Sequence, residues 1–436
     1  MTKPPSGILI IGNGGAAAHA VLGARGAGYR GEIHLICGES GPAFNPMLAP
    51  YYLAGQISFE QCFPFGTAFY KANQVTFHPG SKAESLDAVN RTCITTGGEK
   101  IVYDRCLAAS GADPVLPPIP GLGASPRVFA LRTVSQTKAL SAALKRGHKK
   151  IIILGGSLVG TKLASVLAEK GHTVTLVDVA DHVLPTSAHP LCAALIERGL
   201  EKSGIRLALK RSVRFTEDST RGIILHFEDG GRMAADLCVA CTGVRANMDY
   251  LEGTNVVRTR GIHVDSRMST SELVLFAAGD VAQGYNCLSG QKEVIGLWGN
   301  ACNQGRVAGI NMAGGKSAFP GCIPQFVTAF SGLNFVSLGD VQRQGSAIRP
   351  QIWSNFSGTV QRLLLFDRET LVGANLINCH DEAGYIKAVM TQKLEWKRPP
   401  KGFGLSPFWF RENTLPRVRQ TPSSICDLQV FGRDCR

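Results

Sequence analysis

The stretch Ile8-Leu9-Ile10-Ile11-Gly12-Asn13-Gly14-Gly15-Ala16-Ala17 decides the fold of this 436-residue chain. Its four leading apolar residues are typical of a buried parallel strand, and a G-x-G-x-x-A pattern follows at once, before an alanine-rich helical segment. In such a pattern Gly12 makes the tight turn, Gly14 lets the backbone approach a pyrophosphate, and Ala17 permits close packing of helix on strand. The stretch therefore predicts a Rossmann-type domain whose first helix points its N-terminus at phosphates.

The next predicted strand, residues 32–37, ends at Gly38-Glu39. An acidic residue at this position accepts hydrogen bonds from the hydroxyls of an adenosine ribose, so Glu39 is the predicted ribose ligand. A glycine-rich turn in an unrelated α/β fold is the weaker interpretation, because strand, turn, helix and terminal acid occur together.

A second glycine motif, Gly155-Gly156-Ser157-Leu158-Val159-Gly160, lies about 140 residues further along the chain. It follows a predicted strand, residues 149–154, and precedes a predicted helix, residues 161–170. Ser157 stands where the middle glycine is usual, and its hydroxyl can donate to a phosphate. The repetition predicts a second nucleotide-binding domain inserted within the first.

The kind of nucleotide in the second domain follows from the next strand, residues 173–177, which ends at Asp178. A carboxylate there suits a free ribose hydroxyl, whereas a 2′-phosphate needs a nearby arginine. No arginine follows before Arg198. The second site therefore favours NAD(H) over NADP(H).

Length and composition are consistent with several α/β domains. The chain is long enough for about three domains of ordinary size, and 44% hydrophobic residues with 50 glycines are typical of a globular protein. The formal net charge of +13 favours negatively charged partners, among them dinucleotide phosphates, an acidic protein, nucleic acid or an anionic membrane face. Charge alone does not choose among them.

The N-terminal residues run into the first strand without a long apolar segment, and no stretch is long enough to span a bilayer, so a cytoplasmic protein is predicted. The 13 cysteines follow no metal-ligand pattern and indicate reduced thiols; the ten histidines likewise predict no metal site. Cys238 and Cys241 have the spacing of a redox dithiol, but their apolar surroundings favour a buried strand.

Further motifs carry a family resemblance. Residues 107–112 and 240–247 look like the strand-and-glycine exits of two nucleotide-binding domains, and residues 261–265 with 276–281 are more specific still. The chain resembles the pyridine nucleotide-disulfide oxidoreductase superfamily, in its ferredoxin reductase and NADH oxidase branch. Trp298 begins a segment similar to the helix that covers the pyrimidine end of the flavin, where the helix dipole favours an anionic reduced ring.

The resemblance implies an α/β fold with two Rossmann-like domains of the three-layer ββα type, the NAD domain inserted in the FAD domain, plus an α+β C-terminal domain. The implied boundaries are 1–120 and 249–318 for the FAD domain, 121–248 for the NAD(H) domain, 319–396 for a C-terminal interface domain, and 397–436 for a tail.

The predicted binding residues combine the two motifs with positions implied by the resemblance. The FAD-binding set is Gly12, Gly14, Gly15, Ala16, Ala17, Glu39, Asn45, Pro46, Ala83, Ala109, Ser110, Gly111, Gly279, Asp280, Leu297, Trp298 and Ala301. The NAD-binding set is Gly155, Gly156, Ser157, Leu158, Val159, Gly160, Asp178, Thr242 and Gly243. Asp280 takes the family's role of holding the ribityl chain of FAD.

The chain departs from its relatives around the flavin. Single-cysteine relatives place a redox cysteine where this chain has Met47, and a thioether cannot exchange disulfides. Asn45 and Pro50 stand where ferredoxin-reductase-like members carry an arginine and a lysine, and Lys162 replaces a glutamate expected near the nicotinamide. Together with Pro46, these residues are predicted to lie near the isoalloxazine or nicotinamide, and no side chain is predicted to be catalytic because hydride passes between the rings.

The leading functional prediction is an FAD-dependent enzyme that exchanges hydride with NAD(H) and single electrons with an acidic iron–sulfur partner, in an oligomer or hetero-complex. The FAD subunit of a multisubunit oxidoreductase, such as a tungsten aldehyde oxidoreductase, fits the same pattern. Two alternatives stay open: an NADH oxidase or disulfide-type reductase, and a nucleotide-binding, redox-sensing interaction protein. Nucleic acid is disfavoured as a partner, because no compact basic run is present, and membrane contact is at most peripheral. The tail has eight basic and three acidic residues with interleaved aromatics, and it is predicted to dock a partner or to fold back.

Overall fold

The computed structural model describes residues 7–145, 147–355 and 358–394. Within these ranges the chain forms sheets that contain both parallel and antiparallel strands, with helices packed against them. The predicted tail, residues 397–436, lies outside the described residues.

A seven-stranded mixed sheet forms the centre of the first nucleotide-binding domain. The first part of this domain comprises β1 (Gly7–Ile11), α1 (Gly15–Gly26), β2 (Ile33–Cys37), α2 (Ala49–Ala54), α3 (Ala68–Ala72), β3 (Val75–Pro79), β4 (Ala83–Asp87), β5 (Thr92–Thr95), β6 (Lys100–Ala108) and β7 (Ala112–Pro114). The strand order is β3-β2-β1-β6-β5-β4; the pairs among β3, β2, β1 and β6 are parallel, whereas β4, β5 and β6 form an antiparallel meander. All five residues of β1 are buried, as its continuous apolar run predicts.

The second domain repeats this plan with a parallel five-stranded sheet. It comprises β8 (Val128–Phe129), α4 (Val134–Leu144), β9 (Lys150–Leu154), α5 (Leu158–Glu169), β10 (Thr173–Val177), α6 (Pro190–Lys202), β11 (Arg206–Ala208), β12 (Val213–Ser219), β13 (Gly222–Phe227), β14 (Arg232–Ala235) and β15 (Leu237–Ala240). The sheet order is β11-β10-β9-β15-β8, and β12, β13 and β14 form a separate antiparallel sheet. Ile152 on β9 shares a buried apolar cluster with Ile223 and Leu225 on β13, so the antiparallel layer covers one face of the parallel sheet.

The chain then returns to the first domain. The returning elements are β16 (Val244–Ala246), β17 (Ile262–His263), β18 (Leu275–Ala277), β19 (Ala282–Tyr285), β20 (Lys292–Glu293) and α7 (Trp298–Met312). Strand β16 pairs antiparallel with β7, which forms a two-stranded ribbon between the domains, and β18 adds to the first sheet in parallel beside β6. The second domain is therefore inserted between two parts of the first, which confirms the predicted fold class.

A C-terminal antiparallel sheet follows. It comprises β21 (Gln325–Phe330), β22 (Leu333–Gly339), β23 (Ile348–Ser354), β24 (Gln361–Asp367) and β25 (Thr370–Ile377), with α8 (Ala383–Gln392) after it. The strand order is β21-β22-β25-β24-β23. Short 3₁₀ helices lie at Pro46–Leu48, Glu60–Cys62, Asp249–Leu251 and His380–Glu382.

One apolar core crosses the predicted boundary at residue 319. Leu163 on α5 belongs to the same buried cluster as Phe335 on β22 and Leu363 on β24, and Leu53 on α2 joins it as well. Three chain segments that were assigned to separate domains therefore share a core in the fold. The boundaries drawn from the sequence stay predictions.

Helices α1 and α7 touch backbone to backbone. A Cβ atom added at Gly305 would lie 2.0 Å from the carbonyl oxygen of Ala16, and one at Gly309 would lie 2.0 Å from that of Ala20. Because real Cβ contacts are essentially never shorter than 3.0 Å, only glycine permits this approach. The contact fixes the start of α7 beside the first glycine motif.

Candidate functional site

A cleft of about 330 Å³ opens between the first glycine motif, the start of α7 and the segment that enters the second domain. It collects most of the predicted FAD-binding residues, although they are spread over almost 300 positions of the chain. Those on its lining are Gly12, Gly14, Gly15, Ala16, Glu39, Pro46, Ala83, Ala109, Ser110, Gly111, Gly279, Asp280, Trp298 and Ala301. Ala17, Asn45 and Leu297 do not line it.

The first glycine motif has the geometry that a phosphate cradle needs. Gly12 has φ = +113°, and a Cβ there would lie 2.1 Å from the carbonyl oxygen of Ala109 on the neighbouring segment. Gly14 lines the cleft and has open space where a side chain would be. Helix α1 starts directly after it, so its free N–H groups and positive dipole end face that space. Ala17 is fully buried, in keeping with the helix-packing role of that position.

Three acidic residues, Glu39, Asp113 and Asp280, line the cleft, and the segment that enters the second domain contacts Glu39 and Asp280. A carboxylate oxygen of Glu39 accepts a hydrogen bond of 2.8 Å from the backbone N–H of Val134. Asp280 accepts a charge-assisted hydrogen bond from the guanidinium of Arg132, and both side chains are largely shielded from solvent. Burial is the main cause that raises the pKa of Glu39.

Arg132 and Thr133 line the cleft but were not predicted from the sequence. Thr133 caps α4 through a capping box with Gln136, in which side chain and backbone of the two residues exchange hydrogen bonds. The T-x-x-Q spacing was a readable signal for a helix start. Nothing local, however, connects Arg132 with Asp280, which lies 148 residues away in the chain.

Hydrogen bonds between the two parts of the first domain stabilise the wall of the cleft that Ser110 and Asn247 form. The hydroxyl of Ser110 donates to the backbone oxygen of Asn247 at 2.7 Å, and the Asn247 amide donates back to the Ser110 backbone at 3.2 Å. On the opposite side, the Tyr70 hydroxyl donates to Asn13 at 2.8 Å. Asn13, Asn247 and Tyr250 are further lining residues that the sequence motifs did not single out.

Pro46 and Met47 line the end of the cleft next to α2, and no cysteine of the described part of the chain lines that end. The Met47 side chain is 49% exposed. Asn45 is not on the lining and accepts a hydrogen bond from the backbone N–H of Met47, whereas Pro50 is buried in α2. Cys37 is the one cysteine on the lining among the described residues; it precedes Glu39 at the opposite end, and burial raises its pKa to about 11.

The second glycine motif repeats the geometry of the first. Gly155 has φ = +109°, and a Cβ there would lie 2.5 Å from the backbone oxygen of Cys241, just as Gly12 faces Ala109. Gly160 packs against the backbone oxygen of Gly155, which brings the start of α5 close to the strand. Gly243 has open space at its Cα. The predicted set thus lies at the carboxyl ends of β9, β10 and β15 and at the start of α5.

The polar residues of this second motif already have protein partners. Ser157 caps α5, accepting from the N–H of Gly160, and its hydroxyl donates to the backbone oxygen of Cys241 at 2.8 Å. That proton is therefore committed to the fold, in contrast to the expected donation to a phosphate. Asp178 accepts from the backbone N–H groups of Gly156 and Ala180, which orients its carboxylate at the motif. The hydroxyl of Thr242 donates to the backbone oxygen of Val115 at 2.6 Å.

Lys162 does not line the cleft. Its ammonium group donates to the backbone oxygen of Ala329 on β21 and lies 4.5 Å from the centroid of the Tyr51 ring on α2. The side chain therefore connects three chain segments at the point where the second domain, the start of α2 and the C-terminal sheet meet.

The spacing of Cys238 and Cys241 does not produce an accessible dithiol. Cys238 is fully buried on β15 and Cys241 is 8% exposed at its end. Burial raises the pKa of both thiols to about 12, which keeps them protonated at neutral pH.

The residues of the two sites fit two nucleotides. The first cleft offers an open glycine at a helix N-terminus, an acid after the second strand, and a second acid at the far end, as an extended dinucleotide such as FAD requires. The second motif offers the helix N-terminus and the strand-end acid that NAD(H) requires. Fold and sites together define a two-nucleotide flavoprotein oxidoreductase of the α/β class.

Comparison with known proteins gives the family. The sequence profile of the pyridine nucleotide-disulphide oxidoreductase family matches residues 6–305. The chain belongs to this family, and its cofactors are FAD and NAD(H). Among the described residues, no helix combines the length and apolarity needed to cross a bilayer.

Three relatives indicate how broad the likeness is. The chain is 32% identical to the NADH-dependent phenylglyoxylate dehydrogenase subunit epsilon of Aromatoleum evansii, over 76% of this chain and 78% of that protein. It is 28% identical to the 3-phenylpropionate/cinnamic acid dioxygenase ferredoxin–NAD(+) reductase component of Photorhabdus laumondii, over 85% of this chain and 92% of that protein. The solved structure of the water-forming NADH oxidase from Lactobacillus brevis superimposes with a TM-score of 0.83 at 23% identity, covering 89% of this chain and 91% of that one. This last likeness shows the fold.

Proposed function

We propose that this chain is the reductase component of an electron-transfer system: it exchanges a hydride with NAD(H) and passes single electrons to or from an iron–sulfur protein. Bound FAD supplies the junction between two-electron and one-electron chemistry. The single observation that carries the proposal is the composition of the cleft end beside α2, where Met47 stands and no described thiol lies. Residues 7–394, as far as the structure describes them, offer no disulfide at this end that could accept electrons.

The names of the two curated relatives support the choice of partner. One is a subunit of an NADH-dependent dehydrogenase and the other a ferredoxin–NAD(+) reductase component. Both names describe one component of a larger redox system. We propose that this chain is likewise one component of such a system. Its partner would be a separate, acidic iron–sulfur protein, because the net charge of this chain is +13. The cytoplasmic location and the oligomeric state stay predictions from the sequence.

The residues of the cleft would hold the cofactor and leave the chemistry to it. The N-terminus of α1 would face the diphosphate, Glu39 would accept from the ribose, and Asp280 would hold the ribityl chain, while Arg132 balances the charge of Asp280. The hydrogen bonds of Glu39 and Asp280 to the segment 132–134 fix the orientation of both carboxylates. Pro46 and Trp298, which line the cleft, would shield the flavin from water.

Anaerobic stopped-flow spectroscopy of the FAD-loaded protein tests this function. NADH should bleach the flavin absorbance rapidly, NADPH should do so far more slowly, and a ferredoxin should then restore the absorbance faster than oxygen or a disulfide does. Rapid turnover on oxygen or on a disulfide would favour the NADH oxidase or disulfide reductase alternative. Failure of NADH to reduce the flavin would contradict the catalytic proposal and favour a sensing role.

A further inference from the structure

Lys162 carries a positive charge that no neighbouring carboxylate neutralises directly. Its two contacts, the backbone oxygen of Ala329 and the ring of Tyr51, are electrically neutral. Glu169 is the acid whose charge acts on it, but the Glu169 carboxylate accepts its hydrogen bond from Ser165. Within the described ranges Lys162 forms no ion pair. A half-buried ammonium group in this setting projects its field onto whatever binds beside it.

The position of Lys162 lies between the two nucleotide sites. It is the fifth residue of α5, the helix that starts at the second glycine motif. Tyr51 lies on α2, directly after the Pro46–Leu48 turn whose Pro46 and Met47 line the first cleft. Helices α2 and α5 pack against each other. A nicotinamide ring held at the N-terminus of α5 and directed at the first cleft would approach this contact of α2 with α5, where the ammonium lies.

Hydride exchange changes the charge of the nicotinamide ring and of the flavin, the two groups on which this ammonium would act. When NADH reduces the flavin, the C4–H bond of the nicotinamide breaks and an N5–H bond of the flavin forms, and two electrons move with the hydrogen. The nicotinamide ring becomes a cation, and the reduced flavin becomes an anion. A neighbouring positive charge repels the product ring and attracts the reduced flavin.

We propose that Lys162 sets the direction of the hydride exchange, favouring oxidation of NADH by weakening the binding of NAD⁺ and stabilising the reduced flavin. This inference rests on the proposed function and adds the direction, which the motifs leave open. The ammonium acts through its charge, so a charge-preserving variant keeps the effect and a neutral isostere loses it.

Binding measurements on the oxidised, FAD-loaded protein test whether Lys162 weakens the binding of NAD⁺. Three probes are compared by calorimetry: NAD⁺, tetrahydro-NADH, whose ring is neutral and donates no hydride, and ADP-ribose, which lacks the ring. In Lys162→Met, NAD⁺ should bind about tenfold more tightly, as expected for unit charges at a partly screened site. The dissociation constants of tetrahydro-NADH and ADP-ribose should stay within about twofold, and Lys162→Arg should resemble the wild type.

The matched control is Lys170→Met, which removes the same charge from the exposed end of α5. It should leave all three dissociation constants within about twofold. A second readout needs no nicotinamide: a tenfold loss of stabilisation of the reduced flavin lowers its two-electron potential in Lys162→Met by about 30 mV.

The outcomes separate the inference from the proposed function. An equal change for NAD⁺ and ADP-ribose in Lys162→Met would show a structural role for Lys162 and overturn the inference, as would no change for NAD⁺ at all. A wild-type protein that binds none of the three probes would instead contradict the proposed function itself. Thermal melting of each variant, compared with Lys162→Arg, identifies any loss that comes from misfolding.

Discussion

Replacing Gly305 with alanine should disturb the cleft from a position outside it. The new Cβ would lie 2.0 Å from the backbone oxygen of Ala16, so the two helices must separate by about 1 Å before the contact reaches even the 3.0 Å limit. Neither side can yield locally, because both atoms belong to helical backbone. Helix α7 must therefore shift as a body, together with Trp298 and Ala301 on the cleft lining.

The expected cost is at the upper end of that for overpacked cores, about 3 kcal/mol. For a chain of this size, whose entropy of unfolding is about 0.9 kcal/mol/K, such a loss lowers the Tm by roughly 3 °C. Because the shift widens the cleft between α1 and α7, the purified variant should also retain less FAD, which the ratio of flavin to protein absorbance measures.

Gly26→Ala is the matched control for this experiment. It lies on α1 as well, but its added Cβ would meet no atom within 4 Å. We expect its Tm and FAD content to equal those of the wild type or to rise slightly, since alanine is the better helix former. A Gly305→Ala protein that also matched the wild type in both quantities would refute the backbone contact between α1 and α7.

Three further predictions concern single side chains. Burial raises the pKa of Glu39, so the contribution of its protonation to stability is full at low pH and is lost as the pH rises through the folded-state pKa. Glu39→Gln should therefore stabilise the FAD-free protein at pH 8, and this gain should vanish toward pH 4. The same variant should bind FAD about tenfold or more weakly. Thermal melts at both pH values and FAD titration check this, and a gain that grew on acidification would contradict the sign. Asn375 is fully buried on β25 and accepts from the backbone N–H of His189 at 2.7 Å, so Asn375→Ala should cost about 2 kcal/mol in denaturant unfolding; an unchanged midpoint would show that water replaces the amide. The thiols of Cys238 and Cys241 should not react with a thiol reagent at pH 8 until the protein unfolds, because burial raises their pKa to about 12. If replacing both cysteines with serine lowered the number of fast-reacting thiols, the two thiols would be accessible in the folded protein.

The fold could be predicted largely because its signals are local. The apolar run before Gly12 gives a strand of the expected length, and the predicted strand 173–177 has the bounds of β10 in the structure. Both glycine motifs form tight turns between strand and helix, because positive φ and close backbone approach restrict those positions to glycine. Periodicity and turn chemistry within about ten residues suffice for such elements.

The parts that could not be predicted depend on contacts between distant segments. Arg132 meets Asp280 across 148 residues, and Lys162 meets the backbone of Ala329 across 167. A backbone oxygen carries no sequence signal, so the partner of Lys162 could not be read from residue types. The core shared by α5, β22 and β24 likewise arises from packing, which individual apolar patterns do not specify.

The features that distinguish this chain from a generic family member lie at the junctions between its domains. The segment that enters the NAD domain contacts Glu39 and Asp280, so hydrogen bonds link that domain to the residues proposed to hold the ribose and the ribityl chain. At the other junction, Met47 supplies no thiol and Lys162 supplies a positive charge. The Met47 thioether forms no disulfide and so cannot relay the flavin's electrons as a cysteine there would, while the ammonium disfavours the cationic form of the nicotinamide. Both departures restrict the same flow of electrons, from NADH through the flavin to an external acceptor.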